Sequence, residues 1–232
     1  MLKKYPQFTF GFAIIFLAEL IATANDLREI RFVTKPLITI ILMLFLHFAI
    51  EKKGRFTKKI TTGLLFSLFG DVLLMFSNVE QTYFMLGLGS FLIAHLFYIS
   101  AFYLDSNNKT RISKTHVLPI FMAFVFFCLS FYYLIHSHLG NMNIPVLVYS
   151  FVITMMGIMA ALRYGKTNFN SFVWILIGAV FFIISDSVLA YNKFVAQIKG
   201  ADLIIMSTYM LAQLLITMGT VERVVVEDEL KK

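Results

Sequence analysis

The chain has 232 residues, of which 59% are hydrophobic, 16% aromatic and only 14% charged. Soluble domains carry about 25% charged residues, so the composition excludes an ordinary soluble protein and predicts an integral membrane protein. The net charge of +7 does not indicate nucleic-acid binding, because the basic residues lie between apolar runs without a nucleic-acid motif. The single cysteine, Cys128, excludes an intramolecular disulfide framework.

Eight apolar segments follow one another along the chain, each close to the roughly 20 residues that cross a bilayer as a helix. Their predicted bounds are 8–24, 34–50, 60–76, 83–104, 115–135, 144–162, 171–191 and 203–224. The connections are short, and no stretch is rich in Pro, Gly or Ser. We therefore expect one membrane domain over residues 1–232, an all-α polytopic bundle of eight transmembrane helices.

The basic residues predict how this bundle is oriented. With eight spans, 15 of the 20 Lys and Arg residues fall on the side that holds both termini. Cytoplasmic loops are rich in Lys and Arg, so both termini are expected in the cytoplasm.

The first apolar run allows an alternative. Lys3, Lys4 and the "ATA" at 22–24 resemble a cleavable signal peptide. Glu19 interrupts the run, however, so we expect it to remain as the first span.

Two segments of the chain resemble each other. "GLLFSLFGDVLL" at 63–74 and "GAVFFIISDSVL" at 178–189 share the pairs Gly63/Gly178, Phe66/Phe181, Asp71/Asp186 and Leu74/Leu189. Both predicted helices run from inside to outside, which fits two parallel four-helix halves. Chance similarity between apolar segments is the alternative.

Six ionisable residues lie at membrane depth, where such groups usually face the bundle interior and mark functional sites. They are Glu19, Lys35, His47, Asp71, His95 and Asp186. Their depths predict one polar pocket that holds Asp71, Asp186 and Lys35, with His95 deeper. Purely structural roles stay open: a helix-packing aspartate, a core histidine, and a Lys35 that starts a helix before Pro36 and reaches to the interface.

Metal and serine chemistry find little support. The sequence has no HExxH and no paired histidines on one helix, so we expect no metal and no other cofactor. A G-x-S-x-G motif is absent as well.

Five motifs in order resemble the YhhN-like lysoplasmalogenase family of multi-pass membrane proteins over about residues 10 to 220. They are "TKPL" (34–37), "GDVLL" (70–74), "AHLFY" (94–98), "GAVFFIISDSVLA" (178–190) and "YMLAQLLI" (209–216). The resemblance implies an inner-membrane hydrolase that cleaves the vinyl ether bond of lysoplasmalogens to a fatty aldehyde and a glycerophospho-base. The matching positions are Lys35, Asp71, His95, Asp186, Tyr98, Tyr209 and Gln213.

Acid–base chemistry suits the two aspartates. Vinyl ether hydrolysis needs a proton donor and a group that activates water, and a carboxyl pair in an apolar cavity supplies both. We therefore expect Asp71 and Asp186 as the pair, His95 as their orienting partner, and Lys35 as the contact for the lipid phosphate; Tyr98, Tyr209 and Gln213 would contact the substrate. The alternatives are a proton-coupled transporter of small amphiphiles, a hydrolase of another lysolipid, and a lipid-binding protein.

Overall fold

A computed structural model describes residues 5–77, 79–107 and 114–225, with side chains throughout except at 114–117. Several basic residues behind the predicted orientation lie outside these ranges: Lys3, Lys4, Lys109, Arg111, Lys231 and Lys232.

The described residues form eight long helices. They are α1 (Pro6–Ala24), α2 (Arg28–Ala49), α3 (Arg55–Met75), α4 (Gln81–Ser106), α5 (Lys114–Ile135), α6 (Asn143–Ala161), α7 (Phe169–Phe194) and α8 (Ala201–Val221). Over the same part of the chain the β structure amounts to one isolated bridge, between Thr167 and Val225. The all-α prediction is confirmed.

Seven of these helices are long and apolar enough to cross a membrane, as far as the described residues go. The helix that falls short is α3, which is 21 residues long. It carries Arg55, Lys58 and Lys59 in its first turns and Asp71 near its end. The structure thus supports a multi-pass membrane protein with seven candidate spans.

Helix α2 begins earlier than predicted. It starts at Arg28, so Pro36 lies inside the helix and Lys35 stands two turns from its beginning. Polar residues in 28–34 interrupt the apolar run, which made the span seem to start at residue 34. Proline removes one backbone bond and clashes with the preceding turn, yet helices within a membrane accommodate it when neighbours re-satisfy the freed groups.

The closest helix contacts occur within two pairs, α3 with α4 and α7 with α8. A Cβ atom on Gly63 would lie 2.3 Å from the ring of Tyr98, and one on Gly178 would lie 3.0 Å from the carbonyl oxygen of Ala212. Small residues allow helices to approach this closely. The two glycines that match in the repeated sequence therefore occupy corresponding close contacts.

The bundle has two different ends. At one, which we call the cleft end, α1, α3 and α7 finish and α2, α4 and α8 begin. At the other, the fully buried carboxylate of Asp105 accepts hydrogen bonds from Arg163 Nε at 2.8 Å and from Arg223 Nε at 2.9 Å. Arg163 also donates to Ser171 Oγ at 2.7 Å. This network ties α4, the α6–α7 connection, α7 and the segment after α8 together.

Candidate functional site

A cleft of about 900 Å³ opens at the cleft end. Its ionisable lining residues are Arg28, Arg31, Lys35, Lys193, Asp26 and Asp202. Four cations against two carboxylates give the cleft a positive balance, which favours an anionic group such as a phosphate. Helix starts from α2 and α8 contribute to the same opening and add to this preference.

Apolar residues form the inner part of this cleft, and both aspartates lie just beyond them. Leu74 and Leu189 line the cleft. Asp71 and Asp186 each precede one of these leucines by three residues, about 4.5 Å along a helix. The two carboxylates therefore lie at a similar depth, one turn below the cleft, at matching positions of the repeated sequence.

Asp71 on α3 is 1% exposed, and its partners lie on two other helices. Its Oδ2 accepts hydrogen bonds from the hydroxyl of Tyr209 on α8 at 2.6 Å and from Thr39 Oγ1 on α2 at 3.2 Å. Its Oδ1 lies 3.7 Å from Lys35 Nζ. Because Lys35 also lines the cleft, it connects the buried carboxylate with the polar opening.

A chain of side chains extends this cluster away from the cleft. Gln213 Nε2 donates to the hydroxyl of Tyr209 at 3.4 Å, and the hydroxyl of Tyr98 donates to Gln213 Oε1 at 2.7 Å. Tyr98 and Gln213 are both fully buried. The structure thus brings together five predicted residues: Lys35, Asp71, Tyr98, Tyr209 and Gln213.

Asp186 belongs to a second cluster. The hydroxyl of Tyr149 on α6 donates to its Oδ2 at 2.5 Å, and His95 Nε2 on α4 lies 3.9 Å from the same oxygen. His95 is fully buried, and within the described residues neither of its ring nitrogens has a hydrogen-bond partner. Asp186 and Tyr149 also line an apolar pocket of about 50 Å³ between α4, α5, α6 and α7.

The two clusters do not form the single polar pocket that the sequence predicts. The ring of Phe182 packs against the rings of both Tyr209 and His95, at centroid distances of 5.5 Å and 4.7 Å. Phe182 is itself fully buried. Across the described part of the chain, no hydrogen bond or ion pair joins Asp71 to Asp186, because aromatic side chains fill the space that the prediction gave to a shared cavity.

A further buried acid supports the rim of the cleft. Glu19 is fully buried and accepts hydrogen bonds from Thr34 Oγ1 at 2.5 Å and Thr23 Oγ1 at 3.2 Å. Its Oε1 lies 3.5 Å from Arg31 Nε. Glu19 thus holds Arg31, a lining residue of the cleft, in place. His47, by contrast, lies at the other end of α2 beside Lys53, away from both clusters.

No cluster in the described residues suits a metal ion. Over that part of the chain, three His, Cys, Asp or Glu side chains do not converge anywhere. The available chemistry is that of two separately held carboxyl groups, one histidine and a lysine.

Comparison with known proteins identifies relatives of this chain. The chain is 35% identical over 171 residues to the lysoplasmalogenase TMEM86A of Homo sapiens, covering 71% of this chain and 65% of that protein. It is 32% identical over 186 residues to TMEM86B of Rattus norvegicus, covering 80% and 70%. The identity to the lysoplasmalogenase of Mycobacterium tuberculosis is 33% over 171 residues, covering 72% and 61%.

The match thus spans slightly less than two thirds of the human and mycobacterial relatives. No solved structure matches the chain. The model of the YhhN family matches residues 30–220, which include both clusters. The chain therefore belongs to the YhhN family.

Proposed function

We propose that this protein is a membrane hydrolase that cleaves the vinyl ether bond of lysoplasmalogens, giving a fatty aldehyde and a glycerophospho-base. The relatives named lysoplasmalogenase support this reaction. The observation that carries it in this chain is the position of two carboxyl groups, the buried Asp71 and the 14% exposed Asp186, one helical turn below a cation-lined cleft. A lysolipid has the matching order of groups: a charged head, a reactive ether and an apolar chain.

The reaction needs a proton at carbon. Protonation of the alkene carbon farther from the ether oxygen gives an oxocarbenium ion, and water then adds to the carbon next to oxygen. The resulting hemiacetal loses the glycerol oxygen as an alcohol and becomes the aldehyde. One water is consumed and the acid recovers its proton, so the protein must supply a positioned acid and a base.

Asp186 and His95 are proposed for the proton transfers. Asp186 lines an apolar pocket and accepts a single described hydrogen bond, from Tyr149. This environment suits a carboxylic acid that gives its proton to the alkene. His95 Nε2, 3.9 Å from Asp186 Oδ2, is close enough to receive the proton of the attacking water.

Asp71 and Lys35 are proposed for the head of the substrate. Asp71 accepts from two hydroxyl groups and faces Lys35, which suits a carboxylate that stays ionised and opposes the developing cation. Lys35 would meet the lipid phosphate as a point charge. This cluster is held in place by hydrogen bonds between α8 and α4, which run through Tyr209, Gln213 and Tyr98.

The membrane arrangement that goes with this function has α3 as an eighth span, both termini in the cytoplasm and the protein in the inner membrane. Two four-helix halves in parallel are part of the proposal. The partners of the aspartates support it: Asp71 is bonded by α2 and α8, whereas Asp186 is bonded by α6 and approached by α4. Each aspartate thus uses corresponding helices, one from its own half and one from the other.

Product analysis tests the proposed function. The protein, purified in detergent, is given a lysoplasmalogen, and matched lysolipids with a saturated ether or an acyl ester serve as controls. Aldehyde should appear from the vinyl ether alone. Fatty acid from the ester with no aldehyde would indicate a different lysolipid hydrolase, and intact lipid in every reaction would contradict hydrolysis and favour a transporter.

A further inference from the structure

Three openings in the described structure are connected in series, because each neighbouring pair has lining residues in common. Phe84 and Leu189 line both the charged cleft and the small pocket at Asp186. Phe127 and Ile183 line both that pocket and an apolar groove of about 480 Å³ between α5 and α7. The openings therefore run in series from the cleft end, past Asp186, to the side of the bundle.

We propose that this groove between α5 and α7 binds the hydrocarbon chain of the lysolipid and is its lateral entrance from the bilayer. The inference rests on the proposed function. It assigns a binding surface to helices that carry none of the candidate acid–base residues except Asp186.

The polarity of the three openings follows the polarity of the substrate. The cleft holds the charged residues that would face a phosphate and its base. The pocket is intermediate: apolar side chains surround one carboxyl group, from Asp186, and four hydroxyl groups, from Tyr149, Ser150, Thr154 and Ser187. The groove is entirely apolar, with Phe124 and Phe127 on its α5 side and Val180 and Ile184 on its α7 side. Transfer of hydrocarbon into such a surface is favourable because apolar area leaves water.

The packing of α5 explains why the groove is open. Side chains such as Leu118, Met122 and Phe126 on this helix are more than half exposed. Phe124 is buried, because its ring fills the space beside Gly157 on α6. α5 thus contacts the bundle mainly through α6 and leaves its boundary with α7 free for a chain to lie along.

The groove also fixes which bond reaches the acid. With the phosphate at Lys35 and the chain between α5 and α7, the segment that joins them must pass Phe84 and Leu189 and lie beside Asp186. In a lysoplasmalogen this segment carries the vinyl ether. The pocket of about 50 Å³ is narrow, so a slim unbranched chain fits this passage better than a second acyl chain would.

Photo-crosslinking locates the chain without requiring hydrolysis. The probe is a saturated 1-O-alkyl lysophosphoethanolamine with a diazirine at the end of its chain, added to the protein in detergent. We expect crosslinks on α5 and α7, at residues such as Phe124, Val180 and Ile184, which unlabelled lysolipid competes away. Crosslinks spread evenly over the other exposed helix faces, or insensitive to competitor, would overturn the inference.

A matched pair of substitutions tests the same surface by function. Val180 lines the groove and is 39% exposed, whereas Leu65, 115 residues earlier at the corresponding position of α3, is 36% exposed and lines none of the three openings. Val180→Trp should reduce crosslinking and the kcat/KM for long-chain substrate by about tenfold or more, a steric cost of the size seen for overpacking. Leu65→Trp should change neither.

Failure of the proposed function and failure of the groove inference give different results. Competable crosslinks on α5 and α7 without aldehyde release would contradict the proposed function and leave the groove as a chain-binding site. Normal aldehyde release from long-chain substrate in Val180→Trp would retain the function and overturn the groove. Short-chain substrate, which ends before Val180, should be hydrolysed equally by the variant and the wild-type protein.

Discussion

At the scale of single residues, the cost of a buried carboxyl group is offset by very local partners. Asp71 has two hydroxyl donors and Lys35, and Asp186 has Tyr149 and His95. An ionisable group without such partners costs several kcal/mol at membrane depth. Both aspartates therefore have hydrogen-bonding or charged partners that offset this cost, although the partners differ.

Asp186→Asn removes the proposed acid, and Asp71→Asn removes the charge that opposes the developing cation. Each should reduce turnover by about a hundredfold or more, within the range for loss of an acid or base. Asparagine has nearly the same shape and still accepts a hydrogen bond, so the apparent Tm in detergent should change little. Asp26→Asn is the matched control, because its side chain lines the same cleft but is 76% exposed. Near-normal aldehyde release by both the Asp71 and the Asp186 variants would contradict the carboxyl mechanism.

Lys35→Ala should raise KM more than it lowers kcat. The side chain lies between the cleft and Asp71, so its loss removes a contact that the phosphate makes in both ground state and transition state. Lys35→Arg should recover most of the affinity because it keeps the charge. Steady-state kinetics on lysoplasmalogen measure both constants, and an unchanged KM in the alanine variant would remove the phosphate role.

The sequence revealed these charged residues because each interrupts an apolar run, and it could not reveal their partners. Tyr149 lies in "VYSFV" and looks like one more interfacial aromatic residue. Its pairing with Asp186 depends on how α6 rotates against α7, which is set by packing. Glu19 was visible as a buried charge, but its link to Arg31 required the early start of α2, which polar residues concealed.

At the scale of helices, the α3–α4 contact decides where Tyr98 points. The ring of Tyr98 lies over Gly63, and its hydroxyl reaches Gln213 on α8. The glycine therefore acts at a distance on the Asp71 cluster, through two hydrogen-bonded side chains. The repeated sequence correctly marked Gly63 and Gly178 as corresponding positions, but only the helix contacts explain why a small residue is needed there.

Gly63→Ala should destabilise the protein and weaken its activity. The new Cβ would lie 2.3 Å from the ring of Tyr98, so the ring must move, at a cost of about 1–3 kcal/mol for overpacking. Gly89→Ala on α4 is the control, because nothing lies within 4 Å of its Cβ position. It should leave the apparent Tm unchanged or slightly higher, since alanine favours helix over glycine by about 1 kcal/mol. Equal Tm shifts in the two variants would contradict the role of Gly63.

At the scale of the whole molecule, the two ends of the bundle have different tasks. The cleft end is open and carries the charged lining, whereas the opposite end is closed by Asp105 between Arg163 and Arg223. Removing one partner of a buried ion network of this kind is expensive, about 3–5 kcal/mol. A rigid closed end suits a protein whose substrate approaches from the other end and from the side. From sequence, Arg163 and Arg223 read only as basic residues that orient spans, because their shared acid is remote in the chain.

The proposed orientation puts the cleft on the outer side of the membrane, and paired cysteine variants test it. Lys199 in the α7–α8 connection and Lys52 in the α2–α3 connection are both exposed lysines, at the cleft end and the closed end respectively. Each is changed to cysteine in a Cys128→Ala background, which removes the single native thiol. In intact bacterial spheroplasts, a membrane-impermeant maleimide should label Lys199→Cys, whereas Lys52→Cys should react only after lysis. The reverse pattern would place the cleft in the cytoplasm. The charged headgroup would then have to reach the site from the inner leaflet.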